Sequence, residues 1–581
     1  MKKRVFLIMI SFVLIITLIG CAPTKKDDDE DPVIPIAHKA DFEIDLDGWV
    51  PASYYASALR VANAGRNNSY GMHMSGRFGN WHGVMRRADF LKAGETYSFS
   101  GWVFQETGKE QTIQFEFKVF SGSFPRNKKA VIAPSGQWVE LKWEGIVPEN
   151  VSSKKELHIT MTSNETADFF MDDVEIMGNV NEDYFDTESM SQFYDDMIQA
   201  SLVSTGNNYR LKNVIEKAKS GDDITLAYIG GSITEGSIST VFRYSWSYLS
   251  YKHFADNFGK GNNVHIVNAG QSGTPSSWGI VRYRSDVLDR IPAEDEDGLP
   301  DVVFIEFAVN DYDDETGGAA YEGLVRNILK APNSPAVVLV MSVFRDMGTK
   351  QDLYIPIGAA YGLPTISIKN AIKPKLDGKI LSLDQFFADI YHPNDAGHKI
   401  MADCLNNLFD TINKEEKAAM DVSFPAKPVI SDRFEGLIQI DNSLTDEDFT
   451  ALGITFNKGT FTGVDIHTGI LQEDNRDKAP QNFMNVPVNG LSQAMEIKVK
   501  AKNFMFVYKA NGTNTINFGL VEIYVDNVKQ NVNISHGGGW NQAIEIELFN
   551  NKTATEHTIK IVMTDSDKNK PFTILSMGYT P

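Results

Sequence analysis

The chain has 581 residues, 42% of them hydrophobic and 11% aromatic, so it is globular, and it is too long for a single core; three or four domains are expected. A formal net charge of −21 argues against nucleic acid or an anionic substrate as a partner, and also favours solubility. Two cysteines, Cys21 and Cys404, cannot build a disulfide framework or a thiolate metal site, and the absence of a His-Glu-x-x-His helix argues against a zinc hydrolase.

The amino terminus opens on a basic Met1-Lys2-Lys3-Arg4 and an apolar run, Val5 to Gly20, too short for an ordinary spanning helix. Residues 1–20 therefore read as a signal peptide. The run ends Leu18-Ile19-Gly20-Cys21, which resembles a bacterial lipobox. That resemblance implies cleavage before Cys21 and attachment of a lipid anchor to its sulfur, and hence a membrane partner; a plain secretory signal is the alternative. Residues 21–35 form a polar tether whose charge block, Lys25-Lys26-Asp27-Asp28-Asp29-Glu30-Asp31, stays solvated and extended. An acidic run at this place resembles the surface-export signals of outer-membrane lipoproteins, which implies a cell-envelope location with the chain facing outward. A simple spacer is the other reading.

Residues 36–178 lack long helical periodicity. Short alternating runs such as Tyr97-Ser98-Phe99-Ser100-Gly101-Trp102-Val103 and Thr112 to Val119, separated by turn residues, predict a β-sandwich. Asp41-Phe42-Glu43, Gly76 to Gly83, Lys92 to Tyr97, Gln137-Trp138 and Phe169 to Val174 together resemble carbohydrate-binding modules that take xylan and related glucans. Trp81 is the candidate sugar platform, since an exposed indole suits a pyranose face and nearby glycines clear the approach; a packed core tryptophan is the alternative. Trp102 and Trp138 fall in strand alternation and are expected in the core. Glu43 and Asp172 are candidate ligands of a structural calcium, a cation that prefers oxygen.

Residues 179–420 alternate strands with helices, which predicts a three-layer α/β domain with a parallel sheet. Strands are expected at Ile224–Ile229, Val264–Val267, Val302–Phe307, Val337–Met341 and Thr365–Ser367. Helices fit 189–202, 209–219, 242–258, 319–329, 351–361 and 395–412, the last capped by Asn394 with Asp395. Cys404 falls inside that last helix as an inert packed thiol. The first strand runs into Gly230-Gly231-Ser232-Ile233-Thr234-Glu235-Gly236, where a glycine pair permits a sharp turn and leaves Ser232 at a strand's carboxyl end. A serine nucleophile there needs a base and oxyanion donors. Three later stretches offer polar groups: Asn268-Ala269-Gly270-Gln271-Ser272-Gly273-Thr274, Phe304 to Asp311, and Asp389-Ile390-Tyr391-His392-Pro393-Asn394.

These four stretches, in this order, resemble the sequence blocks of the SGNH (GDSL-type) esterase superfamily. The resemblance implies that Ser232 is the nucleophile, His392 the general base and Asp389 its orienting carboxylate. It also implies an oxyanion hole made of the N–H groups of Ser232 and Gly273 and the side-chain amide of Asn310, with no metal or organic cofactor. Two departures stand out: Gly231 replaces the usual aspartate before the serine, and Ala308 replaces a usual glycine. Thr234 also stands where the Gly-x-Ser-x-Gly elbow of α/β-hydrolases would end.

Glu306, inside an apolar strand, is either a structural hydrogen-bond acceptor or a substrate contact. Asp311 is expected to hold the loop, with substrate contact as the alternative; Trp278 and Tyr283 to pack in the core or at a rim, with lining of the acyl or sugar pocket as the alternative; and His398 to lie on the helix surface. Residues 421–430, with Pro425 and Pro428, read as a linker. Residues 431–581 alternate again, as in Ala494 to Val499 and Val521 to Val525, and predict a second β-sandwich of jelly-roll type. His536-Gly537-Gly538-Gly539-Trp540 is either a loop that covers a neighbouring site or an ordinary turn. Taken together, the expectation is a lipid-anchored serine carbohydrate esterase that deacetylates hemicellulose, acetylated xylan first. Feruloyl ester cleavage on arabinoxylan, or a non-catalytic surface glycan-binding lipoprotein, are the alternatives.

Overall fold

The computed structural model describes residues 36–43, 46–52, 56–77, 79–88, 90–119, 127–148, 155–179, 191–295, 298–312, 314–472, 476–510, 518–537 and 541–581. The signal peptide, the tether, Cys21 and Trp540 lie outside these residues. Among the described residues no helix is long and apolar enough to cross a membrane.

Two antiparallel sheets make up the amino-terminal region. One runs Ser57–Val61, Gly71–Ser75, Phe169–Met177, Thr96–Phe104, Val139–Ile146, with Ile36–Ala40 also on Phe169–Met177. The other runs Trp49–Pro51, Val84–Arg87, Lys155–Met161, Gln111–Val119, Asn127–Ala133. Both give alternate side chains to one core that includes Trp49, Phe99, Phe115, Ile159 and Met171.

The central sheet runs Leu202–Ser204, Thr365–Ser367, Ala336–Met341, Val302–Glu306, Ile224–Gly230, Val264–Gly270. Its pairings are parallel except at the Leu202–Ser204 edge, which is antiparallel. Every residue of Ile224–Gly230 is buried. Its alternate side chains enter two different cores: Leu226 and Tyr228 pack with Trp246, Phe254, Leu405 and Leu408, whereas Ala227 and Ile229 pack with Trp278, Ile280, Leu324 and Ile328. A strand apolar on both faces needs a helical layer on each side, and it has them. Two helices, Ser276–Asp286 and Ile368–Asp377, were not expected from the sequence.

The carboxy-terminal strands join in one antiparallel sheet: Ile438–Ile440, Thr573–Thr580, Met495–Ala510, Gln542–Met563, Val521–Val525, Val528–Lys529. Met495–Ala510 faces two ways. Phe504, Phe506 and Tyr508 enter the region's own core, while Met505 and Val507, with Phe434 and Leu575, complete the second core of the α/β domain. The segment expected as a linker is tied down as well. The N–H groups of Val429, Ile430 and Ser431 all donate to the buried carboxylate of Glu322 at 2.5–2.8 Å.

Candidate active site

Strand Ile224–Gly230 ends in a four-residue helical turn, Ser232–Glu235, that opens at Gly231 and closes at Gly236 with φ +86. The turn is pinned from several sides. Trp246 Nε1 donates to the Ile233 carbonyl at 3.0 Å, Asn268 Nδ2 to the Thr234 carbonyl at 2.7 Å, and Thr234 Oγ1 to Glu306 Oε2 at 2.8 Å. Glu306 is fully buried and also accepts from Ser342 Oγ and from the N–H groups of Gly231 and Thr234. Burial pushes its carboxyl up to about 7 against the pull of those donors. Of its two expected roles, the structure gives it the structural one.

His392 lies between the other two reactive candidates. Its Nε2 is 2.9 Å from Ser232 Oγ, and its Nδ1 is 3.0 Å from Asp389 Oδ2 and 3.1 Å from Oδ1. Asp389 Oδ1 also accepts the backbone N–H groups of Tyr391 and His392, each at 2.7 Å. Burial raises the Asp389 carboxyl, but the hydrogen bond and charge of His392, with the two N–H groups, outweigh it and bring it to about 2. An ionised Asp389 can only accept, so Nδ1 carries the proton and Nε2 turns its lone pair toward the serine hydroxyl. The next residues start the helix Asp395–Lys414: Asn394 caps it by accepting the Gly397 N–H at 2.8 Å, as its place in the sequence suggested.

Asn310 opens a short turn after strand Val302–Glu306 and lies against Gly231. A Cβ at position 231 would collide with the Asn310 carboxamide as it stands, so this arrangement leaves no room for a side chain at 231. A Cβ at Gly230 would likewise strike Thr234 and the Glu306 carbonyl. Asn310 Oδ1 is buried without a partner. Gly273 turns the loop after Val264–Gly270 at φ +67, next to Ser272, whose N–H donates to Glu235 Oε2 at 2.6 Å. Glu235 in turn pairs with Lys478 of the carboxy-terminal region at 3.1 Å. This cross-link joins residues 243 positions apart, and no pattern in the chain announces it.

Asp311 holds its loop as expected: it accepts from the Ser276 N–H at 2.6 Å and from the Tyr354 hydroxyl, and burial pushes its carboxyl up to about 7. Trp278 is packed, with Nε1 donating to Gln271 Oε1 at 2.8 Å. Cys404 is buried and its thiol is pushed up to about 12 by burial. His398 corrects the sequence reading. It is fully buried rather than on the surface, because Trp246 covers the first turn of its helix and donates its N–H to Nδ1 at 3.3 Å; burial lowers the imidazole to about 3.

In the amino-terminal region Trp81 is 60% exposed, its ring edge-on to His82 at 4.0 Å. Trp102 and Trp138 are not in the core. The inward set of strand Thr96–Phe104 is Tyr97, Phe99, Gly101 and Val103, which turns Trp102 to the opposite face, under the Arg66 guanidinium at 3.7 Å. Trp138 joins Phe104, Phe170 and His73 in a row of half-buried rings across that face, with centroids 4.5–5.8 Å apart. The two expected calcium ligands each accept hydrogen bonds from the protein. Asp172 Oδ2 is turned to two donors, the Arg66 N–H at 2.7 Å and Ser69 Oγ at 3.0 Å, while Glu43 Oε1 accepts the Tyr70 N–H at 3.1 Å. Among the described residues no group of three or more His, Cys, Asp or Glu is placed to hold a metal.

Residues 228–400, which hold all of these reactive candidates, match the GDSL-like Lipase/Acylhydrolase family. The chain carries a GDSL-like acylhydrolase domain. Residues 35–166 match a carbohydrate binding domain family. Over 150 residues the chain is 31% identical to endo-1,4-beta-xylanase A of Thermotoga neapolitana, a match that covers 24% of this chain and 14% of that protein. Endo-1,4-beta-xylanase A of Thermotoga maritima matches at 29% over 149 residues, again 14% of its length. A two-domain esterase active on acetylated mannans shares 25% identity and a TM-score of 0.54, covering 66% of this chain and 99% of its own.

Proposed function

We infer that the protein is a serine carbohydrate esterase that removes acetyl groups from plant hemicellulose. The observation that carries this reading is the 2.9 Å approach of His392 Nε2 to Ser232 Oγ, with Asp389 behind the ring. In the proposed cycle Ser232 Oγ attacks the ester carbonyl carbon while His392 Nε2 takes its proton. The Asn310 amide and the N–H groups of Ser232 and Gly273 receive the negative charge that grows on the carbonyl oxygen. As the intermediate collapses, His392 returns the proton to the departing sugar oxygen and leaves an acyl-serine. Water, deprotonated by His392, then attacks the acyl carbon; acetate leaves and Ser232 is reprotonated.

Two observations bear on the polymer and point to different backbones. A stretch of 150 residues is similar to part of two xylanases, while 66% of the chain is similar to an esterase active on acetylated mannans. Acetylated xylan is the first expectation from the amino-terminal region, with Trp81 as a sugar contact, and acetylated mannan is the second reading. Acetate release from acetylated xylan and acetylated glucomannan, and ferulate release from feruloylated arabinoxylan, by wild type and by Ser232→Ala, test the whole reading. Wild type is expected to release acetate, and the variant to be slower by about 10⁴-fold or more. Equal rates would make the chain a glycan binder instead. The same reading anchors the chain to the cell envelope through Cys21, and loss of labelled fatty acid in Cys21→Ala checks that step.

A further inference from the structure

Three loops meet beside His392 and carry rings that the reaction itself does not use. Tyr312 ends the turn that Asn310 begins, Phe344 follows strand Ala336–Met341, and Tyr391 immediately precedes His392. Tyr312 and Tyr391 are each 51% exposed, and Phe344 is half-buried between them. The Phe344 ring lies 6.0 Å from Tyr312, nearly parallel at 28°, and 5.6 Å from Tyr391 at 72°. Tyr391 in turn stands 6.1 Å from the His392 ring. The row therefore runs from the residue that would hold the oxyanion to the residue that would move the proton.

This row is built on fixed backbone. Phe344 N–H donates to the Gly348 carbonyl at 2.9 Å, and Arg345 N–H to the Ile390 carbonyl at 3.3 Å, which ties the Phe344 loop to the Tyr391 loop. Arg345 also pairs with Asp384 at 2.6 Å. The Lys350 ammonium sits 4.6 Å from the Tyr312 centroid. Rings held open to water at an active-site edge, with cations beside them, offer flat apolar faces next to hydrogen-bonding groups. That combination suits a sugar ring, which has C–H bonds on one face and hydroxyls at its rim, better than it suits an alkyl chain, which needs an enclosing cavity.

We propose that Tyr312, Phe344 and Tyr391 form a stacking subsite for a pyranose ring of the polysaccharide, next to the sugar whose ester is cleaved at Ser232. The subsite rests on the esterase reading above. It holds the polymer, not the acyl group, so it acts on long substrates and not on small esters.

The test compares kcat/KM for acetylated xylan and acetylated glucomannan with kcat/KM for 4-nitrophenyl acetate, in the full chain. In Tyr312→Ala and in Tyr391→Ala the polymer-to-nitrophenyl ratio is expected to fall by about tenfold for the preferred polymer, chiefly through KM. Tyr312→Phe and Tyr391→Phe keep the ring and should restore the ratio. The two tyrosines sit on different loops, so each is read separately, with thermal melting as the check on folding. A ratio within about twofold of wild type in both alanine variants overturns the subsite and leaves the esterase reading standing. Wild type that releases no acetate from any of the three substrates overturns both.

Discussion

Asn310 and Gly231 act as one unit at the residue scale, because the carboxamide occupies the space where a Cβ would stand. Asn310→Ala removes a donor from the expected oxyanion position and should lower kcat by about 10²–10³-fold with little change in KM. Gly231→Ala should lower it comparably, though it touches no reacting atom, because the added methyl pushes the carboxamide away. Steady-state kinetics on 4-nitrophenyl acetate reads both; a Gly231→Ala enzyme of wild-type kcat would show that the carboxamide is not needed there. Glu306 gives a second test at this scale. Its folded value of about 7 lies above the 4.5 of an ordinary glutamate. The stability it contributes is therefore fully present below about 4.5 and is lost as pH rises through about 7. Glu306→Gln should flatten the fall in Tm across that window, leaving the part due to Asp311, which is pushed up to about 7 by the same cause. An unchanged slope in the variant would remove Glu306 from the account.

At the scale of elements, the nucleophile turn depends on a residue from outside its own domain. Lys478 is the cation for Glu235, and Glu235 holds the Ser272 N–H and Oγ just before Gly273. Lys478→Met leaves a largely buried carboxylate without its charge partner, which costs about 3 kcal/mol. It should also lower kcat more than it raises KM, since the loop carrying the expected oxyanion N–H is no longer held. Lys478→Arg should rescue both; a Tm loss with unchanged kcat would make the pair merely structural. The strands Ile224–Gly230, Val264–Gly270 and Val302–Glu306 were legible in the sequence because each is a short apolar run that leads into glycine or a polar pair, whereas the edge strand Leu202–Ser204 lies at the end of what reads as a helix over 189–202. Helix 351–361 was also legible, since Gln351, Tyr354, Ile357, Gly358 and Tyr361 recur on a single buried face; helix 319–329 was legible as an apolar run, although the structure buries nearly all of it. Helix Ser276–Asp286 escaped because both faces are covered: Arg282 is buried against the Gly230 and Ala269 carbonyls of the central sheet, and Arg284 and Ser285 bond Asp441 and Gln439 of the carboxy-terminal region. The meeting of Ser232, His392 and Asp389 was readable from their blocks, whereas burial of His398 and the outward turn of Trp102 were not. Sequence shows that residues alternate; it does not show which phase faces the core.

For the whole molecule, the distribution of cores decides how it unfolds. The amino-terminal region has a core of its own, and its contacts with the hydrolase include the Asp47–Arg243 ion pair and the close approach of Gly48 to the Thr240 carbonyl. The hydrolase and the carboxy-terminal region instead share one core through Phe434, Met505, Val507 and Leu575. Calorimetry of the full chain should therefore show two transitions, one for the amino-terminal region and one for everything after it. Three separate transitions would show that the shared core does not couple the last two regions. Composition suggested a free linker at 421–430, and nothing in a Pro-bearing polar stretch announces that its exit is bound. The binding group is Glu322, a hundred residues earlier, which gathers three consecutive N–H groups as the chain leaves the hydrolase.

That cradle has a practical meaning for anyone recombining these parts. A cut at the proline-bearing stretch would take the three N–H donors from Glu322, leave it the Tyr361 hydroxyl, and lay bare the greasy underside of helix Ser276–Asp286. The splice belongs ahead of Ser191, and everything from there to Pro581 travels as one cassette.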